Sequence, residues 1–140
     1  MKYHKKKLIT LRKLLTKADL SFSQYIRHRD HNQCFASEIS KDEAAKCTGF
    51  PQCAHLIKRG KKAVRFDERN CHCSCSYHNY LHNHYPEIMT SWFIKKYGEP
   101  VYLALVLSSR RIKKWTRPEL EELIKKYKLR LLNKSNETGI

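Results

Sequence analysis

Cysteine and histidine are concentrated in one segment, and this constrains the fold more than any other feature of the chain. All six cysteines lie between Cys34 and Cys75, and seven of the eight histidines lie between His28 and His84. Basic residues interrupt the apolar stretch near the N-terminus that a secretory signal would need, so we do not expect the chain to be exported. Because disulfides are rare inside cells, we favour metal binding over disulfides as the role of the cysteines. The segment is too small and too polar to be stabilised by a hydrophobic core alone. A structural metal ion would supply that stability.

Zinc is the metal that the local spacing favours. Cys75 and His78 form a Cys-x2-His pair, which can hold one ion from a single tight turn. Tetrahedral zinc needs two more ligands, and Cys34 lies where a zinc knuckle would begin, although the residue at the x2 spacing from it is a serine. We therefore predict Cys34 and Cys47 as the other ligands, with Cys53 as the alternative fourth ligand. The competing interpretation is that these cysteines are buried and bind nothing.

The charge distribution points to a polyanionic partner. The 140 residues carry a net charge of +16, of which residues 1–30 and 91–140 contribute +7 each and residues 31–90 only +2. This balance favours nucleic acid, although a ribosomal or anionic-membrane contact would have the same composition. The longest apolar run, Val101–Leu107, is too short to span a bilayer. We therefore expect that the chain is not an integral membrane protein and that it is located in the cytoplasm.

The patterning predicts an α+β chain in three parts. Residues 1–30 form a basic helical extension, residues 31–86 a zinc-braced core, and residues 87–140 a set of basic helices. Apolar spacing and capping motifs predict helices at 5–19, from Ser21 to near Asp30, at 75–84, from Pro86 to Gly98, and from Thr116 onwards. Short strands are predicted at 51–57 and 63–66, whereas 101–107 is compatible with either a helix or a strand.

His55 is the candidate catalytic residue. It ends a short apolar stretch and is followed by a turn rich in lysine and arginine. A histidine between a strand and a phosphate-binding turn can take a proton from water during phosphodiester hydrolysis, and its unperturbed pKa of about 6.5 suits that task. Taken alone, a single histidine is more often structural than catalytic.

The order of polar residues after His55 resembles a known class of nuclease. His55 is followed by Asn70, then by the Cys75–His78 pair and Asn79, an order similar to that of zinc-braced ββα-metal nucleases of the HNH class. Residues 66–79 further resemble the signature of the NinG (Rap) family of phage recombination proteins. The positions that match this family are Ala54-His55, Arg59-Gly60, Arg65-Phe66, Asn70, His72, Cys75 and Asn79.

The chain departs from the family pattern at three positions. His78 replaces the second cysteine of the second knuckle, and zinc accepts histidine in that role. Ser37 breaks the first knuckle, which fits a zinc ligand relocated to Cys47. Ala54 stands where many HNH enzymes carry a metal-binding aspartate, so the catalytic metal lacks an obvious carboxylate.

The resemblance implies an HNH-like ββα-metal core and endonuclease action on branched DNA, such as Holliday junctions and other recombination intermediates. In that scheme His55 deprotonates water and Asn70 positions His55, while Mg2+ or Mn2+ acts on the scissile phosphate. The zinc is then purely structural. The candidates for holding the catalytic metal are Asn79, His72 and His82.

Five basic residues close to His55 are candidates for contacting DNA phosphates: Lys58, Arg59, Lys61, Lys62 and Arg65. Such contacts give affinity without sequence recognition, and the competing interpretation is a solvated basic turn. A homodimer would suit a junction-cutting enzyme, because two strands must be cut. The alternative function is a catalytically inactive, zinc-stabilised protein that binds DNA or RNA. Binding to a host protein is disfavoured by the charge.

Overall fold

The computed structural model describes residues 6–138, with side chains up to residue 134. The chain is a mixed α+β protein, mostly helical, with one two-stranded antiparallel sheet. The regular elements in chain order are α1 Leu11–Arg29, α2 Lys41–Ala45, β1 Gln52–His55, β2 Cys71–Ser74, α3 Ser76–His84, α4 Glu87–Tyr97, α5 Glu99–Ser109 and α6 Arg117–Thr138. Short 3-10 turns occupy Phe35–Glu38, Lys62–Val64 and Glu68–Asn70.

The N-terminal region forms one helix, α1, where the sequence predicted two. The predicted start at residue 5 lies outside the described residues, and the helix begins after Thr10, whose Oγ1 accepts a hydrogen bond from Lys13 N at 3.2 Å. The expected cap at Ser21 is wrong, because that side chain is buried within the continuous helix. No glycine or proline interrupts this stretch, so nothing in it stops the helix.

The sheet pairs β1 with β2, and the predicted strand at 63–66 is wrong. That stretch is a tight turn whose carbonyl oxygens bind side chains: Val64 O accepts from Asn70 Nδ2 at 3.1 Å, and Arg65 O accepts from His55 Nε2 at 3.0 Å. Its apolar side chains also separate, with Val64 in one core cluster and Phe66 in the other. The true partner of β1 is the stretch of alternating cysteines, Cys71–Ser74.

The two faces of the sheet belong to two different core clusters. Ala54 lies opposite His72 in the register, and His55 lies opposite Cys71. One cluster contains Ala54 together with aromatic residues of α4 such as Trp92. The other cluster contains Cys71 and fills the space between the sheet, α1 and α6, where Phe22 and Tyr127 meet edge to face with ring centroids 5.0 Å apart.

The C-terminal end of α1 holds β2 in place. Arg29 donates from Nη1 to Glu68 O at 2.8 Å and from Nη2 to Cys71 O at 2.7 Å. Asp30 accepts from the backbone N–H of Cys73 at 2.8 Å and pairs with Arg29. These contacts fix the strand that carries the buried cysteines against the first helix.

The predicted end of α4 and the predicted cap of α6 are confirmed. Helix α4 ends at Gly98, whose φ of 95° favours glycine. The apolar run at 101–107, which was compatible with a helix or a strand, is part of a helix. Thr116 and Glu119 form a capping box at the start of α6, with Thr116 N donating to Glu119 Oε1 at 3.3 Å and Glu119 N donating to Thr116 Oγ1 at 3.4 Å. Among residues 6–138, none of the helices combines the length and the apolar character that a membrane crossing requires.

Candidate functional site

Four side chains converge on a point where one metal ion fits. The ligand atoms of Cys34, Cys47, Cys75 and His78 all lie within 4.8 Å of one another. The distances from His78 Nδ1 to the three Sγ atoms, in the order of the cysteines, are 3.7, 3.6 and 3.1 Å. Tetrahedral zinc with ordinary bond lengths would separate a sulfur and a nitrogen ligand by roughly 3.6 Å. The group is therefore suited to zinc, and it comprises the four residues preferred from the sequence.

Three separate elements supply these ligands. Cys34 immediately precedes the Phe35–Glu38 turn, and Cys47 follows the short helix α2. Cys75 is the N-cap of α3, where its Sγ accepts from the backbone N–H of His78 at 3.4 Å. The Cys-x2-His pair therefore forms within the first turn of one helix, whereas the other two ligands arrive by tertiary packing.

Glu43 supports the metal group from behind, and the sequence analysis missed it. His78 Nε2 donates to Glu43 Oε2 at 2.9 Å, which leaves Nδ1 directed at the three sulfurs. Carboxylates that orient a ligating histidine in this way are common around zinc. The hydrogen bonds from His78 and Lys46 lower the pKa of the Glu43 carboxyl. The available signal was an acidic residue one helical turn before the cysteine ligand Cys47.

The electrostatics of the three thiols favour a bound cation. Burial raises the pKa of the Cys75 thiol, but hydrogen bonds from the backbone N–H groups of His78 and Thr48 outweigh it and bring the pKa to about 7. Burial and then repulsion from the neighbouring thiols raise the pKa of Cys47 to about 12. Three thiolates at these distances repel one another unless a divalent cation lies between them.

Cys53, the alternative zinc ligand, belongs to a different group. Its Sγ lies with an imidazole nitrogen of His55 and the Sγ of Cys71, and these three atoms are within 4.8 Å of one another. Cys53 and His55 are two residues apart on β1 and so share a face of the sheet. The structure therefore does not bring Cys53 to the four-residue group around His78.

His55 lines a cavity of about 820 Å³ beside α1, β1 and α3. Its Nε2 donates to Arg65 O at 3.0 Å, so Nε2 carries the proton and Nδ1 keeps a free lone pair. Burial lowers the pKa of His55, and the positive charge of Arg59 lowers it further. A neutral imidazole in the wall of a cavity is the state that a general base requires near neutral pH.

Asn70 acts on the loop after β1 rather than on the imidazole. The side chain is fully buried, and its Oδ1 accepts from Ile57 N at 2.8 Å. Its Nδ2 donates to Ile57 O at 3.0 Å and to Val64 O at 3.1 Å. Asn70 makes no hydrogen bond to the imidazole among the described residues; it braces the segment whose next carbonyl, that of Arg65, holds the imidazole.

Two of the three candidates for holding a second metal lie at the cavity. His82 donates from Nε2 to the backbone carbonyl of His55 at 2.9 Å, and its Nδ1 is buried without a hydrogen-bond partner among the described residues. Asn79 also lines the cavity and donates to Gln52 Oε1 at 2.7 Å. His72 is not part of this arrangement, because it lies in the strand position opposite Ala54, on the other face of the sheet.

His72 has a packing environment instead. Its ring meets Trp92 edge to face with centroids 4.9 Å apart, and its Nε2 donates to Arg69 O at 2.9 Å. Burial lowers the pKa of His72 to about 4. Its place in the sequence motif therefore corresponds to a neutral side chain in an aromatic core.

The five basic residues predicted to contact phosphates separate into two kinds. Lys58 and Arg59 line the cavity, and Lys61 and Lys62, which follow them in the chain, are exposed. Arg65 differs, because it forms a two-point ion pair with Asp19 of α1, and its side chain is only 12% exposed. Its predicted role as a phosphate contact is corrected to an internal one, and Asp19 is a cavity residue that the sequence analysis missed.

The sequence model of the family described as Bacteriophage Lambda NinG protein matches residues 1–137. The chain matches no curated protein and no solved structure.

Proposed function

Because the chain belongs to the NinG family of bacteriophage lambda, a recombination-related phage family, we propose that it is a metal-dependent endonuclease that cuts branched DNA. The observation that carries the proposal is the state of His55 in its cavity. One imidazole nitrogen is fixed by Arg65 O, the other has a free lone pair, and burial keeps the ring neutral. The order β1, β2, α3 also agrees with the ββα arrangement of HNH nucleases.

The chemical step assigned to His55 is proton abstraction. Nδ1 takes a proton from a water molecule in the cavity, and the resulting hydroxide attacks the phosphodiester. The developing imidazolium is stabilised by the hydrogen bond from Nε2 to Arg65 O. Asn70 contributes by positioning, since it fixes the loop that carries this carbonyl.

His82 and Asn79 would hold the catalytic metal, Mg2+ or Mn2+, at the cavity wall. The unpartnered Nδ1 of His82 supports this assignment, because a buried polar atom without a partner is rare in native proteins. The metal would stabilise charge on the leaving oxygen. The group around His78 would hold zinc and serve only to fix the start of α3.

The net charge of +16 supports DNA as the substrate. Lys58 and Arg59 lie at the cavity and would contact the phosphates next to the cut. Branched DNA, including Holliday junctions, is proposed from the resemblance to the family. A homodimer would let the enzyme cut two strands, and the cytoplasm of the bacterial host would be its location.

The test is a cleavage assay on a labelled four-way junction and a matched linear duplex with Mg2+ or Mn2+. We expect metal-dependent cutting by the wild type and a loss of about 100-fold or more in His55→Ala, the lower range for removal of a general base. His31→Ala is the matched control, because His31 is an exposed residue of the turn after α1. Equal cutting by the wild type and His55→Ala would refute the role of His55.

The second candidate function is DNA or RNA binding without cleavage. Two features favour it: position 54 offers no aspartate to a catalytic metal, and the ion pair with Asp19 makes Arg65 unavailable to DNA phosphates. Tight binding of the junction with no cutting in either metal, and with affinity unchanged in His55→Ala, would support this candidate over the nuclease.

A further inference from the structure

We propose that Cys53, His55 and Cys71 form a second metal site, specific for a thiophilic ion such as Zn2+, distinct from the group around His78. The three ligand atoms lie within 4.8 Å of one another. Two of the residues come from β1 and the third from β2, where Cys71 is the direct antiparallel partner of His55. The site is therefore built on paired strands rather than on a loop.

The donor set selects the kind of ion. Two thiolates and an imidazole are soft and borderline ligands, which favour zinc over the hard, oxygen-seeking Mg2+. Tetrahedral zinc would separate its ligands by roughly 3.6–3.8 Å, so the three atoms need only small side-chain movements to converge. The same ion would therefore not serve as the Mg2+ of the proposed cleavage reaction.

The surroundings provide access and an open coordination position. Cys53 and His55 line the 820 Å³ cavity, whereas Cys71 is buried behind them. An ion can therefore enter from the cavity, and water or a small anion from the same side can complete its coordination. Three protein ligands with one open position differ from the closed four-ligand set around His78.

A metal at this site would inhibit cleavage, a consequence that rests on the proposed function. If the ion binds Nδ1 of His55, it occupies the lone pair that accepts the proton. If it binds Nε2, it displaces the hydrogen bond to Arg65 O that orients the ring. In both cases the imidazole stops acting as a general base, so zinc would compete with catalysis rather than support it.

The experiment is a Co2+ titration of the full chain carrying one zinc per chain, followed by absorbance. We expect one further equivalent of Co2+ to bind with thiolate-to-cobalt charge-transfer bands, and elemental analysis to show that the original zinc is retained. Cys53→Ala and His55→Ala should each lose this second equivalent. Cys73→Ala is the matched control, because Cys73 lies on the same strand as Cys71 but outside the group, and it should retain binding.

Absence of a second equivalent in the wild type would overturn the site, as would its persistence with unchanged bands in Cys53→Ala. Cys53 is only half-buried, so this variant should fold, and circular dichroism checks that it does. For inhibition, the zinc concentration that halves junction cleavage should rise at least about tenfold in Cys53→Ala. An unchanged value would overturn the inhibition, whereas failure of the wild type to cut DNA would refute the nuclease and leave the titration result standing.

Discussion

Replacing Glu43 by glutamine should weaken zinc binding without removing any ligand. Glu43 accepts from His78 Nε2 at 2.9 Å and is 23% exposed, so the bond is partly shielded from water. Loss of an outer partner of this kind typically reduces metal affinity by about 10–100-fold, or about 1.4–2.8 kcal/mol. Glutamine can still accept the hydrogen bond and removes only the charge, so we expect the lower end, about tenfold, and a larger loss in Glu43→Ala.

The assay is competition with a chromophoric chelator at fixed free zinc, followed by thermal unfolding of the same samples. Because zinc binds the folded chain, a tenfold loss of affinity should appear as about 1.4 kcal/mol of stability when free zinc is well above both dissociation constants, and vanish in the metal-free chains. Glu43 also pairs with the exposed Lys46, so Lys46→Gln measures that contribution, which should be small because water screens an exposed ion pair.

Asp42→Asn provides the matched charge control. Asp42 is the neighbouring acid in the first turn of α2 and is exposed. Asp42→Asn therefore removes one negative charge from the protein and from this helix terminus, as Glu43→Gln does. Zinc affinity in Asp42→Asn should stay within about twofold of the wild type. Equal affinities for Glu43→Gln and Asp42→Asn would refute the reasoning that Glu43 acts through the His78 imidazole.

Three further predictions concern the cavity. Asn70→Ala should destabilise the zinc-loaded protein by about 3 kcal/mol in urea denaturation, because the half-buried N–H and C=O of Ile57 and the buried C=O of Val64 lose their partners. A change below about 1 kcal/mol would contradict the assigned bonds. When kcat/KM for cleavage is measured against pH, the loss of activity on the acid side should have its midpoint below pH 6.5. Burial lowers the pKa of His55, and activity is lost as the ring takes up a proton. A midpoint above pH 7 would contradict a neutral base. Asp19→Asn should cost about 2 kcal/mol in the same denaturation assay, because it leaves Arg65 without its carboxylate in a mostly buried position, and an unchanged midpoint would show that the pair is dispensable.

Local signals in the sequence were sufficient where a structure is formed by neighbouring residues. The capping box of Thr116 and Glu119 lies within one helical turn, and the Cys75–His78 pair forms within the first turn of α3. The predicted strand at 63–66 failed for the opposite reason. Its alternating apolar residues fit a strand equally well, but Val64 and Phe66 serve two different clusters, and only tertiary packing distinguishes the two cases.

The roles of polar side chains were harder to predict than their positions. Asn70 and Arg65 lie where the family motif puts them, yet one binds loop backbone and the other binds Asp19, which is 46 residues away in the chain. Glu43 carried no motif at all, and its function follows from the geometry of His78. A single sequence shows which residue types are present, whereas their partners depend on contacts between distant segments.

Helix α3 joins the two parts of the candidate site, and this has a consequence for metal removal. Its first turn carries Cys75 and His78 of the zinc group, and its next turn carries Asn79 and His82, which bind Gln52 and the carbonyl of His55 on β1. The start of the helix is fixed by side chains that zinc would hold, so loss of zinc should displace the residues at the cavity. After a chelator has removed all metal, Mg2+ alone should therefore restore no cleavage, whereas one equivalent of zinc followed by Mg2+ should restore it. Full recovery with Mg2+ alone would mean that the packing of α3 against β1 positions the cavity residues without the zinc group.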